Sequence, residues 1–224
     1  MIIMEHEIIL QGDAVLLVER RILKAVHVEQ FTEALTRNAA TASGILPRGC
    51  IYMARLENRQ LLVMETPARV HTIRYGQGSY RLSVPFVQFY LILLRMGDQY
   101  ELQRVRASCT KQPVRKMDDN LFRLPLPNTN SDGGLCTGRM RSIKGTPQEI
   151  AENFAAMYWG GAFNDDLSIQ FPELHGRSIS IAEIIKRWAK LTEENPFFAI
   201  EKDTRLTPHT SLTFGREVET CLNK

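Results

Sequence analysis

Between Cys50 and Cys109 the sequence is a succession of short apolar runs separated by turn formers, and this stretch constrains the fold most. Ile51 to Ala54, Leu61 to Met64, Val70 to Tyr75, Tyr80 to Val84, Phe86 to Leu94 and Tyr100 to Val105 are the runs. Glu57-Asn58, Pro67-Ala68, Gly76-Gln77-Gly78-Ser79 and Gly97-Asp98 punctuate them. Runs this short, joined this tightly, leave no room for crossover helices, so the spacing predicts an antiparallel meander. Phe86 to Leu94 is apolar nearly throughout, and periodicity leaves strand and buried helix both open there. Upstream, Ile8 to Leu10 and Val15 to Val18 flank Gly12-Asp13, a Gly-first two-residue turn that predicts a hairpin over Glu7 to Glu19. The period then changes. Val28, Phe31, Leu35 and Ala39 recur at helical steps, which predicts an amphipathic helix ending near Ser43-Gly44.

Past the strands the chain abandons alternation. Leu124 to Gly138 packs Pro125, Pro127, Asn128, Asn130, Gly133, Gly134 and Gly138 around Cys136. Proline fixes φ and lacks a donor while glycine admits positive φ, so this segment is an irregular loop, of a length usually kept for function. Its thiol can become a strong nucleophile near neutral pH. Asn128 stands eight residues before Cys136, with Asp132-Gly133 and the aliphatic Leu135 between them. Downstream, Thr146-Pro147-Gln148-Glu149 is a capping box with proline at the first helical position, followed by the stripe Ile150, Phe154 and Met157 and by Gly160-Gly161. Ser180 to Glu183 repeats the start signal, with Ile181, Ile184, Trp188 and Leu191 on one face up to Asn195-Pro196. The tail from Phe197 to Lys224 shows weak patterning and is expected to be partly disordered.

The loop resembles the active-site segment of ubiquitin-conjugating enzymes. In that family a His-Pro-Asn tripeptide precedes the catalytic cysteine by the interval seen from Asn128 to Cys136, and a Pro-bearing helix start follows, as at Thr146-Pro147. Here Leu126 stands where the family has its histidine, and Gly145 or its neighbours stand where a tryptophan is common. The pattern is most similar to prokaryotic conjugating-enzyme family D, the group of the B protein of the ParB-related, ThiF-related cassette. Its aromatic-rich helix end matches Tyr158-Trp159-Gly160-Gly161-Ala162-Phe163. The resemblance implies an α+β, ubiquitin-conjugating-enzyme-like fold: an antiparallel meander flanked by helices, with an N-terminal hairpin extension. The expected division is 1–26 for that extension, 27–176 for the catalytic domain, and 177–224 for a C-terminal helix and tail.

The resemblance also implies a function. Cys136 would carry a ubiquitin-like modifier as a thioester and pass it to an amine or other nucleophile. Asn128 would brace the loop or donate to the oxyanion, and Gly133-Gly134 would admit the modifier's tail. A ThiF-type activating enzyme and a JAB-type protease are the implied partners, with no cofactor and no metal. Arg139, Arg141 and Lys144 follow the cysteine, where they would favour a thiolate or form a solvated basic face. Asp165 and Asp166 fall where relatives place an acidic group assisting the amine. The alternative is a binding module of the same fold that scaffolds the modifier or its activating enzyme without forming a thioester.

Other classes fit less well. Asn128, Asn130, Asp132 and Gly133 have the spacing of a calcium loop, but its twelfth position would be Arg139, where a bidentate Glu is required. Cys50, Cys109 and Cys221 are scattered without zinc-site spacing and read as structural. A papain-like pair would need His6, His27, His71, His175 or His209 beside Cys136, and none sits in a local signature. A net charge of +3 falls short of a nucleic-acid footprint, although Arg95, Arg104, Arg106, Lys111, Arg115 and Lys116 would supply a basic patch. Glu5 and Glu7 beside Met1 do not suit a signal peptide, and Leu82 to Leu94 is shorter than the about 20 residues a membrane span needs. A cytoplasmic location is expected, where the four cysteines stay reduced.

Overall fold

The computed structural model describes residues 8–11, 14–19, 22–27, 46–136, 143–164, 180–201 and 206–223. The chain forms two compact units, 1–45 and 46–224. In the first, β1 (Ile8–Gln11), β2 (Ala14–Glu19) and β3 (Ile22–His27) make an antiparallel meander. β1 and β2 pair antiparallel up to Gln11 and Ala14, which is the hairpin that the sequence predicts, and β3 extends it by a strand. The helix expected over Val28 to Ala42 lies outside the described residues.

The second unit is α+β, built on a curled antiparallel sheet. Its strands are β4 (Cys50–Arg55), β5 (Arg59–Thr66), β8 (Phe86–Met96), β9 (Gln99–Thr110), β10 (Asn120–Phe122) and β13 (Pro208–Thr213), in the order β13-β10-β9-β8-β5-β4. Between β5 and β8 a second hairpin, β6 (Arg69–Tyr75) and β7 (Gly78–Val84), pairs with itself and accepts β12 (Ala162–Phe163) in parallel on β6. Phe86 to Leu94, ambiguous by pattern, is strand. Its two faces are both covered, which is why it reads as a continuous apolar run. Leu91, Phe89 and Val87 enter the main core, whereas Ile92 and Tyr90 enter a smaller one behind the sheet.

Three helices cover these faces among the described residues: α1 (Pro147–Gly160), α2 (Ile181–Glu194) and α3 (Phe214–Leu222). α1 has the full capping box, with Thr146 and Glu149 each accepting from the other's backbone N–H. Its buried face is Ile150, Ala151, Phe154 and Tyr158, while Met157, expected in the stripe, is 40% exposed. Tyr158 takes its place because the face advances in steps of four. It carries the phenol into edge contact with Phe89 at 4.8 Å and Phe163 at 5.5 Å. α2 buries Ile184, Ile185, Trp188 and Thr192, with Ile181 and Leu191 only half-buried. It is pinned to β7: the Trp188 indole N–H donates to the Ser83 carbonyl at 2.9 Å, and Ser83 N–H donates to Thr192 Oγ1 at 2.8 Å.

The tail departs from expectation. Residues 206–223 form β13 and α3, and Phe214, Val218 and Cys221 close the smaller core against Leu61, Val63, Tyr90 and Ile92. Its weak pattern has a physical cause. β13 is an edge strand with alternating exposure, and α3 buries a charged residue, Glu217, on its inner face, where a pattern reading expects an apolar one.

Candidate functional site: the cysteine hairpin

The loop from Asn128 to Cys136 is an irregular hairpin sewn onto the edge of β9. Within it, Cys136 N–H donates to the Asn128 carbonyl at 2.9 Å, Asn130 N–H to Gly134 at 2.8 Å, and Gly133 N–H to Asn130 at 3.0 Å. Asp132 Oδ1 caps the turn by accepting from Gly134 N–H at 3.0 Å. The returning arm joins the sheet: Ala107 N–H donates to the Gly133 carbonyl at 2.7 Å, and Leu135 N–H to the Val105 carbonyl at 3.1 Å. One edge of β9 is thus shared by β10 at Cys109, the hairpin at Val105 to Ala107, and β11 (Lys144–Gly145) at Tyr100 and Glu101.

Side chains of this segment sort by depth. Leu124, Leu126 and Leu135 lie in the main core, and Leu126 is fully buried. Cys136, one residue beyond Leu135, is exposed. Alternation along the returning arm therefore anchors Leu135 inward and turns the thiol outward. The other described cysteines differ from it. Cys109 and Cys221 are buried, burial drives the Cys109 thiol far above the usual range, and burial also raises half-buried Cys50.

Asn128 is brought to the cysteine by the backbone bond just described. Its φ of 65° is in the left-handed region, which asparagine tolerates better than most residues. Its Oδ1 accepts from Asn164 N–H at 3.3 Å, tying the loop to the segment after α1 and β12. That bond fixes the amide plane and leaves Nδ2 as the donor end. The Thr129 hydroxyl and the Tyr158 phenol are both buried. Burial raises the phenol's pKa, and Thr129 partly offsets this.

Of the basic residues after the cysteine, Lys144 makes an ion pair with Glu101 at 3.5 Å across β11 and β9. Arg139, Arg141, Asp165 and Asp166 lie outside the described residues, as do His6 and His175. Arg106, read above as part of a basic patch, is 2% exposed and serves a different purpose. Its guanidinium bonds Glu217 of α3 through Nε, and through Nη2 at 3.3 Å. It reaches the loop through Nη2 to the Asp132 carbonyl and Nη1 to the Asp132 carboxylate at 3.5 Å. Burial opposes its charge, and Glu217 foremost, with Cys221 and Asp132, more than restores it.

His209 of β13 completes the floor. Its Nδ1 accepts from Ser211 N–H at 3.2 Å and lies 3.7 Å from Glu217, while Nε2 is buried against Gly133 with no hydrogen-bond partner. Desolvation lowers its pKa, Glu217 opposes that shift, and Arg106 and Arg123 reinforce it. Gly133, with φ of 89°, is the only residue type that fits: a Cβ there would collide with the imidazole and sit 3.0 Å from the Ala107 carbonyl. Among the described residues no cluster of three His, Cys, Asp or Glu side chains could hold a metal ion, and no helix is long and apolar enough to cross a membrane.

Sequence reasoning names Arg106 only within a basic patch and His209 only as one of five histidines that a papain-like pair would need, and it does not name Glu217. Arg106 has the alternation of a solvent-facing strand position, and the other two sit in a tail without pattern. The signal that could have found them is the lone acid, Glu217, among the apolar positions of α3. Comparison of the chain with protein-family models, with curated proteins and with solved structures finds no match.

Proposed function

We propose that this protein is a ubiquitin-conjugating-like transferase that accepts a ubiquitin-like modifier from a ThiF-type activating enzyme as a thioester on Cys136. The observation that carries this reading is an exposed thiol at the end of a hairpin bonded throughout, with Asn128 held against it. The order of elements supports it: an antiparallel sheet, here interrupted by the β6–β7 hairpin, the cysteine loop and a capped helix follow one another, the order the resemblance implies for a ubiquitin-conjugating fold. A JAB-type protease belongs to the same proposed set of partners.

The chemistry proceeds in two acyl transfers. The Cys136 thiolate attacks the carbonyl of the modifier's C-terminal thioester. A new C–S bond forms, the old one breaks, and the activating enzyme's cysteine leaves as a thiolate. An amine then attacks the Cys136 thioester, loses its proton, and expels the Cys136 thiolate as the amide forms. Both tetrahedral intermediates place negative charge on the carbonyl oxygen, and the Asn128 amide, held through Oδ1, offers Nδ2 as the stabilising donor. No nearby base is required for the first step, because the incoming acyl group is already activated.

A second reading, a non-catalytic module that binds the modifier or its activating enzyme, is favoured by one observation. Leu126, where the related enzymes have histidine, is fully buried and presents no polar group to the loop. Incubation with activating enzyme, ATP and modifier separates the two. The first reading expects a modifier-sized adduct released by reducing agent, a reductant-resistant oxyester in Cys136→Ser, and wild-type behaviour in Cys50→Ser and Cys109→Ser. An adduct persisting in Cys136→Ala moves the chemistry elsewhere, and binding without any adduct establishes the module.

A further inference from the structure

The polar groups beneath the hairpin come from three distant parts of the chain, and none has an evident purpose in a minimal meander. Arg106 lies on β9, Asp132 in the hairpin turn, and His209, Ser211 and Glu217 in the C-terminal segment. A buried arginine–carboxylate pair gives little net stability compared with apolar side chains of equal size, so its presence calls for a geometric reason. The geometry supplies one. A guanidinium is a rigid fork, and here one side grips Glu217 while the other grips the carbonyl and carboxylate of Asp132.

Asp132 leads through Gly133, Gly134 and Leu135 to the thiol. Its own carboxylate caps Gly134 N–H, and Gly133 rests on His209. Fixing Asp132 therefore fixes the arm that ends in Cys136. Glu217 is itself held by the Ser211 hydroxyl, which donates to it. Between Ser211 and α3 the chain passes through Leu212, exposed and left-handed at φ of 62°. A branched apolar residue keeps that conformation only where its neighbours over-determine it.

We propose that Glu217, acting through Arg106, is a positioning residue for Cys136: the β13–α3 segment is a latch that holds the cysteine hairpin in its reactive geometry. This rests on the reading of Cys136 as the acyl acceptor. The latch contributes no atom to the reaction; it sets where the thiol stands when the thioester arrives.

The test uses the full chain with two variants. Arg106→Met with Glu217→Gln removes both charges while the glutamine still accepts from Ser211, so the fold is retained and the fork on Asp132 is lost. Arg106→Lys keeps a charge for Glu217 but, as a point donor, cannot span to Asp132. Both should melt close to wild type while amide exchange at Leu135 and Cys136 rises about tenfold or more, as expected for losing charge-assisted bonds that hold a local structure. Exchange at Leu62 and Leu91 in the sheet centre should not change. At saturating activating enzyme, the first-order charging rate should fall about tenfold with KM unchanged, a split that simple loss of stability does not produce. Wild-type exchange at Leu135 and Cys136 in both variants overturns the latch, as does an equal rise throughout the sheet. If the wild-type protein is never charged, the transferase reading falls, and the exchange measurement still decides the latch.

Discussion

Asn128 offers the sharpest test of how the loop works, because the structure gives it two separable duties. As a brace, it accepts from Asn164 N–H at 3.3 Å and occupies a left-handed backbone position. As a catalyst, it would donate from Nδ2. Asn128→Ala removes the bond, a loss of about 0.5–1.5 kcal/mol, and forces a Cβ-bearing residue without asparagine's local bonding into the left-handed region, at roughly 1 kcal/mol more. The sum is about 2 kcal/mol, or about 4–8 °C in Tm for a domain of this size. Asn128→Gly loses the bond alone and should melt between the two. Asn128→Asp retains an acceptor for Asn164 and tolerates the backbone, so its melt should be near wild type, yet it has no N–H to donate. Single-turnover discharge of the pre-charged protein should then slow by about 10² to 10³ in the Asp variant, the usual cost of one oxyanion donor. An Asp variant that discharges like wild type refutes the donor role and leaves the brace. Equal stability and equal discharge in Asn128→Ala would refute both.

Leu126→Ala, at a fully buried position, should lower stability by about 2–5 kcal/mol, with activity falling alongside. Unchanged stability in urea titration with lost activity would show instead that Leu126 meets a partner. Thr146→Ala should cost about 1 kcal/mol by removing one half of the α1 capping box, read as a shift in the urea midpoint at constant slope. His71 stacks on Trp159 at 3.6 Å, and its pKa is lowered to about 4, first by burial and then by Arg69. The unfolded chain therefore binds this proton first as pH falls. The contribution is complete above about pH 6.5 and is lost on descending towards pH 4, at most about 3 kcal/mol. Desolvation lowers His209 in the same direction, so His71→Phe should flatten only part of the acid loss measured by urea unfolding between pH 7.5 and 4.5. An unaltered pH profile in that variant would contradict the assignment.

What the sequence determined by itself is whatever rests on local chemistry. The β1–β2 hairpin, the strands bounded by Gly76 to Ser79 and by Gly97-Asp98, and the Thr146-Pro147 helix start are each set by residues within a few positions of one another. The placing of Asn128 against Cys136 belongs with them, since proline, glycine and an Asp-capped turn close that hairpin on itself. The tertiary structure decided which face each residue would meet. Phe86 to Leu94 became strand only because two cores cover it, and Tyr158 displaced Met157 because Phe89 and Phe163 wait on its side. Most of all it decided the floor of the site. Arg106 and Glu217 are separated by 111 positions, and a charge is tolerated in the interior only when its partner arrives with it. Neither residue's local sequence announces that partner, so the pair exists only once the tail has folded across the sheet.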